Sequence, residues 1–154
     1  MALTGGIGPG EVRTWVESDS AQVSTPAGTF DGCLLMRASV SMRSERPQYR
    51  YPVDAPEAET GEWWCWLARG VGPVAHRHER GDGVVEHSVL AEFHCPERRQ
   101  EWMPLVVGTR WVYQAAEPPL GVDTRVAFSL TPVRFADRHY LVHASLARPL
   151  APTA

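Results

Sequence analysis

Chain-breaking residues recur at short intervals along the whole sequence, and no other feature restricts the fold more. Thirteen glycines and thirteen prolines are spread over 154 residues rather than gathered in one segment. Because proline removes a backbone donor and glycine weakens a helix interior, this spacing leaves little room for long helices. Short apolar or alternating runs lie between the breakers. We therefore predict an all-β fold of about eight to ten antiparallel strands, arranged as a curved antiparallel sheet, a sandwich or a partly open barrel.

The organisation of the chain follows from the same pattern. Its length suits one domain that can bury a core without disulfides or metals. A polar break, PERRQE, divides the predicted strands into two candidate sub-units. We expect a flexible N-terminal segment (1–11), a single β domain (12–148, with candidate sub-units 12–95 and 102–146) and a tail (149–154).

Turn-forming residues mark the corners of the predicted sheet. Pro26 fixes φ and Gly28 tolerates positive φ, so the strand before them must end there. Gly70 and Gly72 flank a second bend in the same way. Residues 43–62 are rich in proline and charge, and they predict the longest loop.

The second half of the chain predicts four shorter strands. The stretch WMPLVVGTRWVY, residues 102–113, is divided by a turn at Gly108-Thr109 into two of them. Residues 126–131 and 140–146 have the composition of the last two strands.

Charge and cysteine content exclude several classes of protein. The net charge of −3 comes from 15 basic and 18 acidic residues, so no basic surface for nucleic acid is expected. Three cysteines without a C-x-x-C spacing exclude a zinc ribbon and favour reduced thiols. The N-terminus lacks the features of a signal peptide, and no apolar run reaches the ~18 residues of a transmembrane segment. These features predict a soluble, cytoplasmic protein.

A histidine cluster is the strongest candidate for chemistry. Asp82-Gly83 predicts a two-residue hairpin turn, which would place His78 opposite His87, while His76 and His78 share one strand face. Three imidazoles on one side of a hairpin could bind zinc or another divalent metal. The alternative is a polar hairpin tip whose histidines are solvated.

A cupin is a further possibility for the same segment. The spacing of Gly70, His76 and His78 resembles the first metal motif of cupins. The second motif would need a histidine soon after Pro119-Leu120-Gly121, and none follows there.

Four sequence segments of the chain resemble segments of a bacterial group of exported β-rich proteins of unknown function, called TapB-like. Residues 25–33 (TPAGTFDGC), 67–74 (LARGVGPV) and 89–93 (VLAEF) match wording typical of the group, and 104–113 (PLVVGTRWVY) is similar to its opening phrase. Here the opening phrase follows the others, as in a circular permutation or at a junction between two units. The resemblance implies export and brings no catalytic residues.

These observations favour a non-catalytic β-domain that acts as a binding or assembly module without a cofactor. No nucleophile, base and orienting group share strand-compatible spacings. We expect a protein partner or self-association through unpaired strand edges, with Trp63 and Trp102 at the interface. A metal-dependent enzyme, cupin-like or with three histidine ligands, is one alternative. A carrier of an apolar ligand is the other, and it requires a cavity of ~300 Å³ or more.

Overall fold

One antiparallel sheet of eight strands makes up the computed structural model, which describes residues 10–42, 60–117, 123–135 and 138–146. The strands are β1 (Gly10–Thr25), β2 (Gly28–Met42), β3 (Gly61–Ala68), β4 (Gly72–Arg80), β5 (Val85–His94), β6 (Arg110–Ala115), β7 (Val126–Phe135) and β8 (Arg138–Leu146). They follow one another in the sheet in chain order, so β1 and β8 form its two edges. The all-β prediction is confirmed.

The sheet is curved, and one backbone hydrogen bond demonstrates it. The amide of Ala27, in the turn between β1 and β2, donates to the carbonyl oxygen of Leu90 in β5 at 3.1 Å. Strands β3 and β4 lie between these elements in the sheet. The long first hairpin must therefore curl over its neighbours for its tip to reach β5. Of the three predicted shapes, the single curved sheet agrees with this contact.

Both predicted corners are turns. At the first, the hydroxyl of Thr25 accepts a hydrogen bond from the amide of Ala27 at 3.2 Å, and Gly28 has φ of +140°. At the second, Gly70 and Gly72 have φ of +73° and +93° between β3 and β4. A residue with a Cβ atom is strained at these φ values, so glycine is the residue that suits such positions.

The register of the β4–β5 hairpin differs from the prediction. His87 pairs with Arg77, and His78 pairs with Glu86. Three residues, 81–83, connect Arg80 to Val84 instead of the predicted two residues between Gly81 and Val84, and the amide of Arg80 donates to the carbonyl oxygen of Val84 at 2.8 Å. A shift of one residue reverses which side chains share a face. The predicted pairing of His78 with His87 is therefore wrong.

Residues 95–109 cross between β5 and β6 without joining the sheet. The strand predicted at the start of 102–113 is wrong, whereas the turn at Gly108 and the strand after it are confirmed. Pro104 is buried and has no amide to donate to a ladder. The crossing segment is instead held near its middle, where the amide of Gly70 donates to the carbonyl oxygen of Glu101 at 2.7 Å, and near its end, where the amide of Gly108 donates to that of Leu130 in β7 at 3.0 Å.

The core lies where the first hairpin meets β4, β5 and β6. Trp111 is the largest fully buried side chain there, and its indole donates to the carbonyl oxygen of Val71 at 2.6 Å. The buried apolar cluster consists of Cys33, Ala68, Val74, Leu90, Trp111 and Leu130.

Three further expectations concern the ends, the loop and the cysteines. The N-terminal segment up to residue 9, the loop residues 43–59 and the tail lie outside the described residues. All three cysteines are free thiols, as expected. In the described ranges, no helix has the length and apolar character needed to cross a bilayer.

Candidate functional site

The pairing of β3, β4 and β5 places a set of polar and aromatic side chains on one side of the sheet. Residues directly opposite each other in an antiparallel pair point to the same face. Trp63 pairs with His78, Cys65 with His76, and His76 with Ser88. We call this side the histidine face, defined by Trp63, Cys65, His76, His78 and Ser88.

His87 lies on the opposite side of the sheet. It pairs with Arg77, and its ring centroid is 6.4 Å from that of Trp66. The register therefore does not bring the three predicted ligands His76, His78 and His87 together. In the part of the chain that the structure describes, no three His, Cys, Asp or Glu side chains form a group that could hold a metal. Metal binding stays a prediction that has lost its geometric support.

His78 is a buried residue that supports the sheet. Its ring stacks on Trp63, with centroids 3.6 Å apart, and its side chain is 2% exposed. The Nε2 atom lies 3.2 Å from the carbonyl oxygen of Thr60. Because a carbonyl oxygen only accepts, Nε2 carries the proton. One face of the imidazole and its Nε2 atom are thus occupied by structural contacts, and His78 does not line the apolar cavities described below.

His76 has a different environment, half-buried and open to the space above the sheet. Burial is the main cause that lowers its pKa from the usual 6.5, and the charges of His87 and His78 act in the same direction. The carboxylate of Glu86 opposes this by raising the pKa. His76 is therefore an uncharged imidazole at neutral pH.

An apolar cavity of about 430 Å³, which we call cavity I, lies over β4 to β7 on the histidine face. Two of its aromatic walls are held by hydrogen bonds to backbone. Trp111 Nε1 donates to the carbonyl oxygen of Val71 at 2.6 Å, and the Tyr113 hydroxyl donates to that of Pro73 at 2.7 Å. Burial also raises the pKa of Tyr113, so its hydroxyl remains a donor. The principal apolar lining residues are Pro73, Met103, Trp111, Tyr113, Val126 and Phe128.

Besides Gln114 and Thr124, three polar side chains that line cavity I lie together. His76, Glu86 and Ser88 face it from adjacent positions of β4 and β5. The carboxylate of Glu86 is already paired with the guanidinium of Arg80 at 3.1 Å. An apolar cavity with a few convergent polar groups is the usual form of a small-molecule site.

A second apolar cavity, which we call cavity II, has a volume of about 500 Å³ and lies over β1 to β4. Burial raises the pKa of Cys65 in its wall to about 11, so the thiol is protonated and unreactive at neutral pH. Cavity II shares Pro73 and His76 with cavity I. Its other lining residues are Thr14, Met36, Arg37, Ala38, Trp63 and Trp64.

The opposite face carries a ladder of alternating rings and guanidinium groups that the sequence did not reveal. The Arg37 Cζ atom lies 5.3 Å from the ring of Trp15 and 5.0 Å from that of Trp64, and Arg77 Cζ lies 5.6 Å from Trp64. Arg37 also donates to Glu62 at 2.9 Å. Because these residues come from four strands, only the register could have shown the ladder. Each contact contributes about 0.5–1 kcal/mol.

The two tryptophans predicted at an interface are both half-buried. Trp63 is covered by His78 and lines cavity II. Trp102 lies under the guanidinium of Arg69, whose Cζ is 4.2 Å from the ring centroid. Trp15, in the edge strand β1, is more exposed at 37%. A partner that contacts these residues stays a prediction.

Comparison with known proteins finds no family model, no curated protein and no solved structure that matches the chain. The resemblance to TapB-like proteins therefore stays a proposal.

We expect His76 to make stability depend on pH. Its pKa is lower in the folded protein than in the unfolded chain, so the unfolded chain binds more protons between the two values. The free energy of unfolding should thus have its full value above about pH 7 and decrease as the pH falls below 6.5. Urea midpoints at pH 7.5 and about 5.5 measure this for the wild type and for His76→Gln, which should lose less stability on acidification. The control is His94→Gln, at an exposed position. If the urea midpoint decreases equally on acidification in the wild type and in His76→Gln, the prediction is contradicted.

Proposed function

We propose that this protein is a non-catalytic binding module that holds a small apolar ligand in cavity I. The observation that carries the proposal is the fixation of the Trp111 and Tyr113 side chains by hydrogen bonds to the carbonyl oxygens of Val71 and Pro73. With its hydroxyl occupied, the half-buried Tyr113 presents apolar ring surface to the cavity, and the buried Trp111 holds the wall beside it. The walls are therefore preformed, and a ligand would not have to order them on binding.

The volume and lining of cavity I support this function over the alternatives. A space of about 430 Å³ falls within the range of ~300–1,000 Å³ found for small-molecule sites. Catalysis would need a nucleophile beside a base, and the cysteine nearest to His76 is a protonated thiol whose pKa is about 11. Assembly through the strand edges β1 and β8 stays a separate prediction.

Binding of a neutral fluorescent probe tests the proposal. N-phenyl-1-naphthylamine, which fluoresces in apolar sites, should bind to the wild-type protein and gain intensity. Ser88→Phe places a ring inside cavity I and should weaken binding about tenfold or more, because the ring occupies the ligand's space. Fluorescence titration measures both dissociation constants.

Ser129→Phe is the matched control. Ser129 is half-buried in the neighbouring strand β7, pairs with Arg110 and does not line cavity I. The control should bind the probe like the wild type, and circular dichroism should show that both variants keep the sheet. The proposal fails if the wild type does not bind the probe, or if Ser88→Phe, while folded, binds it equally well.

A further inference from the structure

Cavities I and II adjoin at the centre of the histidine face. Pro73 and His76 line both of them. Cavity I extends from these residues toward Val126 in β7, and cavity II extends toward Thr14 in β1. Because the two cavities share these residues, they form one groove that crosses the strands of the curved sheet. Such a groove fits an elongated ligand.

The junction of the two cavities is the polar part of this groove. In the part of the chain that the structure describes, no hydrogen bond to either ring nitrogen of His76 is found. Its ring is 6.4 Å from that of Trp63, a contact that leaves the nitrogens free to bond elsewhere. Ser88 pairs directly with His76, so its hydroxyl faces the same space. A neutral imidazole and a hydroxyl can each donate one hydrogen bond to a ligand oxygen.

The surrounding charges favour an uncharged ligand group. Arg37, which lines cavity II, is already paired with the carboxylate of Glu62 at 2.9 Å. A carboxylate at the junction would approach that of Glu86, which lines cavity I, and a cation would approach Arg80, which is bound to Glu86 at 3.1 Å. Either ion would also lose its hydration between apolar walls. A carbonyl or hydroxyl oxygen avoids both penalties.

We propose that the ligand is an elongated, uncharged chain molecule that spans both cavities and has a carbonyl or hydroxyl group in its middle, hydrogen-bonded to His76. This inference rests on the proposed function, because it assigns the ligand class of the same site. It adds that the polar group lies in the interior of the chain and not at its end. Apolar segments of similar size then extend into cavity I and cavity II.

Positional isomers of one ketone test the placement of the polar group. Undecan-6-one and undecan-2-one have the same atoms and nearly the same apolar surface, so only the carbonyl position differs. We expect undecan-6-one to displace N-phenyl-1-naphthylamine about fivefold more effectively, since one additional hydrogen bond forms while both cavities are filled. The mid-chain acid 2-pentylheptanoate, ionised at pH 7.5, should bind more weakly than undecan-6-one. Equal affinities of the two ketones would overturn the inference.

Two variants assign the preference to the junction. His76→Leu keeps the volume and removes the donor, so it should abolish the preference for undecan-6-one. Ala38→Phe fills cavity II and should weaken undecan-6-one more than undecan-2-one, which can lie in cavity I alone. Ser39→Phe, at the next position of β2 and outside cavity II, is the control and should retain the preference.

The outcomes separate this inference from the proposed function. If the fluorescent probe binds and Ser88→Phe weakens it, but the ketones bind equally or His76→Leu keeps the preference, the binding module stands and the ligand class is wrong. If the probe does not bind to the wild type, both proposals fail. A preference for the carboxylate would also overturn the ligand class.

Discussion

Replacing Trp111 by alanine is expected to lower the free energy of unfolding by about 4 kcal/mol or more. Trp111 is 1% exposed, and its ring centroid is 6.0 Å from that of Phe93. Truncation removes the largest buried side chain of the core and leaves a cavity. It also removes the donor that binds the carbonyl oxygen of Val71 at 2.6 Å. Urea unfolding followed by circular dichroism measures the change.

Two further variants make this result interpretable. Trp111→Phe keeps an aromatic ring but loses the N–H group and part of the buried indole, so we expect a loss of about 1–3 kcal/mol. This variant remains informative if Trp111→Ala does not fold, because a domain has only about 5–15 kcal/mol in total. Trp15→Ala, at a position 37% exposed in β1, should cost about 1 kcal/mol or less. A loss of under about 1 kcal/mol for Trp111→Ala would contradict the assigned core.

The strands and their corners were predictable because they depend on local chemistry. Proline at position 26 and glycines at 28, 70 and 72 act on their own φ angles and amides, and a neighbour in space is not needed. The alternating residues between them then form strands whose partners are adjacent in the chain. A sheet in which every strand pairs with the next one is the simplest topology for such a sequence.

The register of the hairpin was not predictable from the dipeptide Asp82-Gly83. These residues do lie in the turn, but the carboxylate of Asp82 accepts from the amide of Val84 at 3.1 Å and from Arg80 at 2.7 Å. With these contacts, Arg80 faces Val84 and three residues connect them instead of two. The resulting shift of one residue places His87 on the opposite side of the sheet from His76, so the three histidines that the sequence suggested as ligands are not brought together.

The cavities were also beyond the reach of sequence patterns, because distant residues build them. Trp111 and the carbonyl oxygen that fixes it belong to residues 40 positions apart, and the same separation applies to Tyr113 and Pro73. Bulges in the β3–β4 and β5–β6 pairs decide where these rings point. The sequence singled out His76 as a metal ligand, whereas we propose it as the polar group of an apolar groove.

Replacing Gly70 by alanine is expected to lower the free energy of unfolding by about 3 kcal/mol or more. A Cβ atom at this position would lie 2.3 Å from the carbonyl oxygen of Arg99, which belongs to the backbone and cannot rotate away. The φ of +73° adds about 1–2 kcal/mol of strain for any residue with a side chain. Relief of the clash would require the crossing segment 95–109 to move, which would break the bond from the Gly70 amide to Glu101. Urea unfolding measures the loss.

Gly83→Ala separates strain from close approach. Gly83 has a φ of +86°, nearly that of Gly70, but a Cβ atom there would meet no atom within 4 Å. This variant should lose only the strain of about 1–2 kcal/mol. The difference between the two variants therefore measures how firmly the crossing segment is held against the β3–β4 turn. Equal losses would mean that the segment yields at little cost, and then Met103, which lines cavity I from the same segment, could not be a fixed wall of the ligand site.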